Sequence, residues 1–235
     1  MKLSVLIPAY NEERTIKTVL NSIFRLKIKG IKIEVVVIDD GSVDHTSKII
    51  REHSNNGLIF IKHKTNQGKG VAIRSGIKKA TGDIILIQDA DLEYDPKYIP
   101  VLIKPILDKE AFVVYGTRLR VLPIFFGKDR TPFLLHFFGN KFLSFVTTIL
   151  YGSVITDMET GYKVFTKEVI RDIKIKSNSF AVEPELTAKI LKRGIKIVEI
   201  DIKTKPRSYK EGKKIRPIKD GIDSLITIVK YRFID

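Results

Sequence analysis

The sequence predicts an α/β domain: a mainly parallel central sheet flanked by helices. Three observations carry that prediction. Short β-rich runs alternate with stretches of helical apolar spacing through the first half, the pattern of βαβ units. Runs such as Ile33 to Ile38 are apolar without alternation, as strands covered on both faces must be. Polar residues cluster directly after these runs, where open parallel sheets place their ligands.

The elements follow in order. Leu3 to Ile7 is a strand that ends at Pro8. Ile16, Val19, Leu20, Ile23 and Phe24 recur at helical spacing. Ile33 to Ile38 is the second strand, and Asp44 is the expected N-cap of a helix through Ile49 and Ile50. Leu58 to Ile61 is a strand, Gly68 to Ala80 a helix, and Ile84 to Ile87 a strand. A helix follows Pro96, and Phe112 to Tyr115 is again a strand. Later, Glu185 to Arg193 reads as a helix closed by Gly194. Val198, Ile200 and Ile202 alternate with charged residues, giving a half-exposed strand. Ile218, Ile222, Leu225, Ile226 and Val229 mark a C-terminal helix.

The stretch Phe133 to Leu150 is the longest apolar region, but His136, Asn140 and Lys141 interrupt it. A spanning helix needs about 20 mostly apolar residues. Asn140, Ser144, Thr147, Thr148 and Tyr151 form one polar stripe, opposite a broad apolar side that includes Leu134, Phe138, Phe142, Leu143, Phe145, Val146 and Ile149. An amphipathic helix lying on a membrane surface is the expectation; burial in the domain core is the competing one.

Composition bounds the function. The 235 residues suffice for one domain with a core. Lys and Arg number 42 against 27 Asp and Glu, a net charge of +15 that favours polyanionic partners. No cysteine is present, so disulfides, thiolate metal sites and cysteine nucleophiles are excluded. The apolar run at Met1 to Pro8 is too short for a signal peptide, so the cytoplasm is expected.

Four segments are candidates for chemistry. Asp89-Ala90-Asp91, with Glu93 behind it, follows a fully apolar strand; oxygen ligands so placed suit a hard cation such as Mg²⁺ or Mn²⁺, although a solvated turn has the same pattern. Asp39-Asp40-Gly41-Ser42 stands likewise after its strand, and could serve a base, a ribose, a metal or a plain turn. Asn66-Gln67-Gly68-Lys69-Gly70 is a glycine-rich turn able to present N–H groups to phosphate, yet it is neither a P-loop nor a dinucleotide fingerprint. Lys203 to Lys219 is a basic stretch with Gly212 and two prolines, a solvated surface or a loop that closes over phosphate. The four histidines show no metal-ligand spacing.

Together these pieces resemble glycosyltransferase family 2, which has the GT-A fold. The resemblance runs through Val5-Leu6-Ile7-Pro8-Ala9-Tyr10-Asn11-Glu12, Val36-Val37-Ile38-Asp39-Asp40-Gly41-Ser42, Asn66-x-Gly68-Lys69-Gly70, Thr81-Gly82-Asp83 and Asp89-Ala90-Asp91, and covers nearly the whole chain. Asp157 to Phe165, Phe180 to Glu185 and the late basic stretch make it most similar to the polyprenyl-phosphate sugar transferases, the dolichyl-phosphate mannose and glucose synthases. The resemblance implies a single catalytic domain over 1–235, with a nucleotide-sugar-binding half (1–120) and an acceptor- and membrane-facing half (121–235). It implies that Pro8, Tyr10, Glu12, Ile38 and Asp40 line the nucleoside pocket, with Lys69, Asp89 and Ala90 completing the donor site. Asp89, Asp91 and Glu93 would hold Mg²⁺ or Mn²⁺. Arg118 would lie near a phosphate; Asp157 would orient the acceptor, bind metal or hold its loop; Arg207 and Lys214 match the family's late basic motif, where Lys213 replaces the usual Ser.

The implied reaction moves a hexose from a donor of the GDP-mannose or UDP-glucose type to a polyprenyl phosphate, with inversion, at the cytoplasmic face of a membrane. A family member with a soluble saccharide acceptor is the first alternative. A basic nucleic-acid binder is the second, and no RNA-binding aromatic motif or zinc spacing supports it. The absence of Trp removes the processive polysaccharide synthases, which carry a Gln-x-x-Arg-Trp motif.

Overall fold

The structure is a computed structural model that describes residues 1–54, 57–120, 134–207, 212, 214 and 216–234. Its centre is one seven-stranded sheet in the order β3-β2-β1-β4-β6-β5-β7. The strands are β1 (Lys2–Ala9), β2 (Lys32–Asp39), β3 (Ile59–Lys62), β4 (Ile84–Ile87), β5 (Val113–Thr117), β6 (Lys163–Thr166) and β7 (Ile197–Asp201). β1 pairs in parallel with β2 and β4, β2 with β3, and β5 with β7; β6 alone runs antiparallel, between β4 and β5. The fold class is thus the expected one. The carboxyl ends of β1, β2, β4 and β5 all open on one edge.

Helices cover both faces. On one lie α1 (Ile16–Arg25), α2 (Thr46–Glu52) and α4 (Ile99–Leu107), whose Ile16, Val19, Leu20, Ile50, Leu102 and Ile103 are buried with Leu3, Val5 and Ile7 of β1. On the other, α3 (Lys69–Lys79), α6 (Lys167–Arg171) and α7 (Val182–Lys192) bury Ala72, Ile73, Ile170, Leu186 and Ile190 with Leu6, Val36, Ile38 and Phe165. The alternate residues of β1 therefore go to opposite faces, Leu3, Val5 and Ile7 to one and Leu6 to the other, and apart from the buried Ser4 both sets are apolar. α3 lies so close to the sheet that a side chain at Gly76 would crowd Ile38 and Leu6.

Outside α7 lie two longer helices, α5 (Leu134–Tyr151) and α8 (Pro217–Phe233), packed on each other and on α7. Phe133, assigned to the first of these from the sequence, falls outside the described residues. The polar stripe of α5 is the packed side: Ser144 and Thr147 are buried, while Phe138, Phe142, Phe145 and Ile149 are exposed. Of its apolar residues, Leu143 is buried with the core around α7 and Leu150 packs against it. No described helix is long and apolar enough to cross a membrane.

Two further expectations change. Asp44 stands one residue before the cap position of α2, although its carboxylate accepts the Thr46 N–H at 2.9 Å. No sequence pattern predicts the strand at Lys163–Thr166: β6 is only four residues long, and its lysine breaks the apolar run.

Candidate active site

Four strand ends build the acidic edge. After β1 the chain turns at Asn11, which has a positive φ of 50°. That turn sets Glu12 inward, 7% exposed. Arg207 meets it with both terminal nitrogens, Nη1 to Oε2 at 3.0 Å and Nη2 to Oε1 at 3.1 Å. Lys214 Nζ reaches Glu12 Oε1 at 2.7 Å, donates to the Tyr10 carbonyl and lies 5.4 Å from the centre of the Tyr10 ring. Arg207 Nη2 also reaches Asp91 Oδ2 at 3.2 Å. The basic segment after β7 is therefore laid across the carboxylates of two different strand ends. Burial lowers the Arg207 pKa, but Glu12 and Asp91 outweigh it and hold the guanidinium above its ordinary value. Lys213, Lys210 and Glu211 fall outside the described residues.

Asp89 and Asp91 follow β4. Asp89 Oδ1 accepts Lys69 Nζ at 2.7 Å, and a side chain at Gly161 would collide with its other oxygen. Gly161 thus permits the approach. Asp91 is pushed up to about 7, by burial first and then by the Asp89 charge, with Arg207 opposing and Glu93 adding to the rise. Glu93 has another partner: its Oε1 accepts the Arg207 N–H at 3.1 Å, and its own N–H donates to Asp91 Oδ1 at 3.1 Å. Among the described residues no three carboxylate or histidine side chains converge as metal ligands, and Glu93 anchors the basic segment. Asp89 and Asp91 fit a cation as a pair: they follow β4 two residues apart, and their side chains are largely shielded from water, at 18% and 15% exposure.

Asp157 pairs with Arg118. It is fully buried and holds Arg118 through Nε to Oδ2 at 2.7 Å, Nη2 to Oδ1 at 2.8 Å and the backbone N–H at 2.9 Å. Asn140 of α5 donates to Oδ1 at 3.0 Å. Burial opposes the charge, yet Arg118 keeps the carboxyl below its ordinary range. Asp157 therefore sets the guanidinium of Arg118, which stands 5.7 Å from the centre of the Tyr94 ring.

Ile38 and Asp40 stand at the carboxyl end of β2. The Asp40 carboxylate accepts the N–H groups of Gln67 and Gly68, the latter at 2.7 Å, and His63 Nδ1 at 2.6 Å. Asp39 likewise accepts Ser42 N–H and the Ser47 hydroxyl. Asp40 ties the β2 turn to the start of α3 and Asp39 ties it to α2; the N–H groups of Gln67 and Gly68 go to Asp40 and that of Gly70 to the Asn178 carbonyl. The Ile38 side chain is fully buried beside Gly76, so only its backbone reaches the edge. Pro8 and Ala90 stand at the ends of β1 and β4, with Ala90 buried.

Two groups escaped the sequence reading. Glu183, in the first turn of α7, bridges Lys69 Nζ at 2.9 Å and Lys163 Nζ at 2.6 Å. Lys163 is wholly buried and also donates to the carbonyls of Met158 and Thr160. Lys163, Glu183, Lys69 and Asp89 form one chain of alternating charge that ends at the acidic edge. Glu199 of β7 accepts the N–H groups of Thr156 and Asp157 and so fixes the Arg118 support. Only spatial proximity identifies either; no local pattern does.

A doubly covered, nearly parallel sheet with paired carboxylates and clustered cations beyond its strand ends is the architecture of a GT-A fold. The family model described as "Glycosyl transferase family 2" matches residues 4–174, and the chain belongs to that family. A UDP-N-acetylglucosamine–dolichyl-phosphate N-acetylglucosaminyltransferase of Methanococcus voltae is 33% identical over 85% of this chain and 84% of its own length. A dolichyl-phosphate β-glucosyltransferase of Dictyostelium discoideum is 29% identical over 98% of this chain and 74% of its own. Among solved structures, glucosyl-3-phosphoglycerate synthase of Mycobacterium tuberculosis, crystallised with Mn²⁺, UDP-glucose and phosphoglyceric acid, shares the fold at a TM-score of 0.74 and 21% identity, over 100% of this chain and 80% of that one.

Proposed function

We propose that the chain transfers a sugar from a nucleotide-diphosphate donor to a polyprenyl phosphate at the cytoplasmic face of a membrane. The observation that supports it is the pairing of Arg207 and Lys214 with Glu12 and Asp91 at the sheet edge. These are cations parked on carboxylates, available to a diphosphate that takes their place. The dolichyl-phosphate relatives favour the lipid acceptor, and the UDP-N-acetylglucosamine of one of them adds an N-acetylhexosamine to the hexoses expected as donor sugar.

Tyr10 and Glu12 would border the nucleoside, and Asp89 and Asp91 would hold Mg²⁺ or Mn²⁺. That cation, when bound, neutralises the departing diphosphate. Lys69 keeps Asp89 oriented. Arg118, locked by Asp157, would receive the acceptor phosphate. A phosphate monoester is already anionic near neutral pH, with a second pKa of about 6, and needs little general base. Positioning and charge stabilisation then carry the catalysis, with attack on the anomeric carbon and inversion.

The test is incubation with UDP-N-acetylglucosamine, UDP-glucose and GDP-mannose, each with a polyprenyl phosphate or a soluble phosphorylated acceptor, with Mg²⁺, Mn²⁺ or EDTA. A lipid-linked sugar that forms only with metal is expected. Product on the soluble acceptor alone would replace the lipid reading.

A further inference from the structure

On α5 the exposed side chains Phe138, Phe142, Phe145 and Ile149 fall at helical spacing on one stripe, with Phe145 61% and Ile149 65% exposed. On α8 the same holds for Ile218, Ile222, Ile226, Val229 and Phe233, with Ile218 74% and Phe233 75% exposed. The inner sides bury Leu143, Ser144 and Thr147 of α5, and Ser224, Thr227, Ile228 and Tyr231 of α8. The outer stripes are left in water, where large apolar side chains do not belong. The helices lie side by side, with the Tyr151 hydroxyl donating to the Ile228 carbonyl at 2.8 Å and Arg232 over the Tyr151 ring. Their two stripes therefore make one broad apolar face, larger than isolated surface residues account for.

We infer that α8 and α5 together seat the protein on an anionic lipid surface, α8 supplying half of the contact. Charge favours this occupant. By helical position Lys219 and Lys230 flank the α8 stripe on one side and Arg232 on the other, while Lys141 flanks that of α5. Apolar insertion plus a basic rim are the two signals that surface binding requires. A second copy of the chain would oppose one basic rim to another. The face also adjoins the acidic edge: Asn140 of α5 bonds Asp157, and α8 begins directly after the segment that carries Lys214. The seating rests on the proposed transfer only for the lipid phosphate it would deliver to Arg118.

The experiment is flotation of the full chain with phosphatidylcholine vesicles, with and without phosphatidylglycerol, at low and high salt. No sugar donor or polyprenyl phosphate is present, so the outcome is independent of transfer. Wild type should float with the anionic vesicles and partly detach at high salt. Ile222→Asp/Ile226→Asp should lose flotation although α5 is intact, and so should Phe142→Asp/Phe145→Asp. Because the chain contains no Trp, Ile226→Trp and Phe145→Trp give a second readout that leaves the fold undisturbed. Their emission should shift to the blue on anionic vesicles, while that of Phe112→Trp, exposed at the far end of β5, should not. Wild type left in the soluble fraction at low salt would overturn the inference. So would flotation without a shift at Ile226→Trp, or a stable dimer by ultracentrifugation that the aspartate pairs dissociate.

Discussion

Burial first, and then the charges of Asp89 and Glu93, raise the Asp91 carboxyl above its ordinary range, and Arg207 opposes them only in part. Asp91→Asn should fold as well as the wild type and lose on the order of 10²–10³ in turnover, the usual cost of removing one charge-stabilising group. Turnover near wild type, unaffected by EDTA, would remove Asp91 from the chemistry. Glu183 carries the opposite liability. Lys163 is wholly buried, and Glu183 is the carboxylate that pairs with it. Breaking a buried pair from one side costs about 3–5 kcal/mol. Glu183→Gln should therefore lower the melting temperature by roughly 10 °C, given about 2–4 °C per kcal/mol at this size. An unchanged melting curve would show the bridge to be dispensable. The two acids also differ in how the sequence displays them. Asp91 is legible because its partner Asp89 is two residues away. Glu183 is not, because its partners are 114 and 20 positions distant, at Lys69 and Lys163.

Elements are held together by similar means. Glu34 at the start of β2 accepts the Ser4 hydroxyl of β1 and the Thr81 N–H before β4, and pairs with Lys2. Burial pushes its carboxyl up, but those partners outweigh burial and bring it down to about 2 from 4.5. The folded state then binds fewer protons than the unfolded state between those values, so stability from Glu34 is full above about 4.5 and is lost as pH falls through about 2. Glu34→Gln should cost about 2 kcal/mol at neutral pH, as for hydrogen bonds to a charged group, and progressively less in acid. A gap in urea midpoints that stays constant down to pH 2 would contradict this. The segment after β7 behaves differently. Lys214 is a third exposed, and exposed ion pairs contribute about 0–1 kcal/mol. Lys214→Ala should barely move the melting temperature yet reduce turnover on the order of 10²-fold; unchanged turnover would make it a solvated surface. The sequence showed this segment as basic and glycine-containing. That it crosses Glu12 and Asp91 was beyond reach, since charge runs carry no direction.

Over the whole molecule, what was legible follows from burial. Strands β1, β2 and β4 are covered on both faces and read as apolar runs, and the polar turns after them mark the edge. Ambiguity arose where burial and polarity part company. The stripe of α5 was visible as a stripe, but its orientation was set by the packing of Ser144 and Thr147. β6 was missed because four residues containing a charged lysine satisfy no period. That short reversed strand also bears on how the polypeptide is made. β4 and β5 are both complete by Thr117, yet the strand that joins them is translated only with Lys163 to Thr166. At about 5–20 residues per second, the nascent chain spends a few seconds with the inner edge of β4 unpaired. An open edge of apolar sequence is a template for pairing with other chains. A fragment ending at residue 120 should accordingly be recovered as aggregate, and a soluble monomeric fragment with cooperative melting would refute this. Substitutions that slow translation or weaken β6 would then lower the yield of protein without touching any residue that meets a substrate.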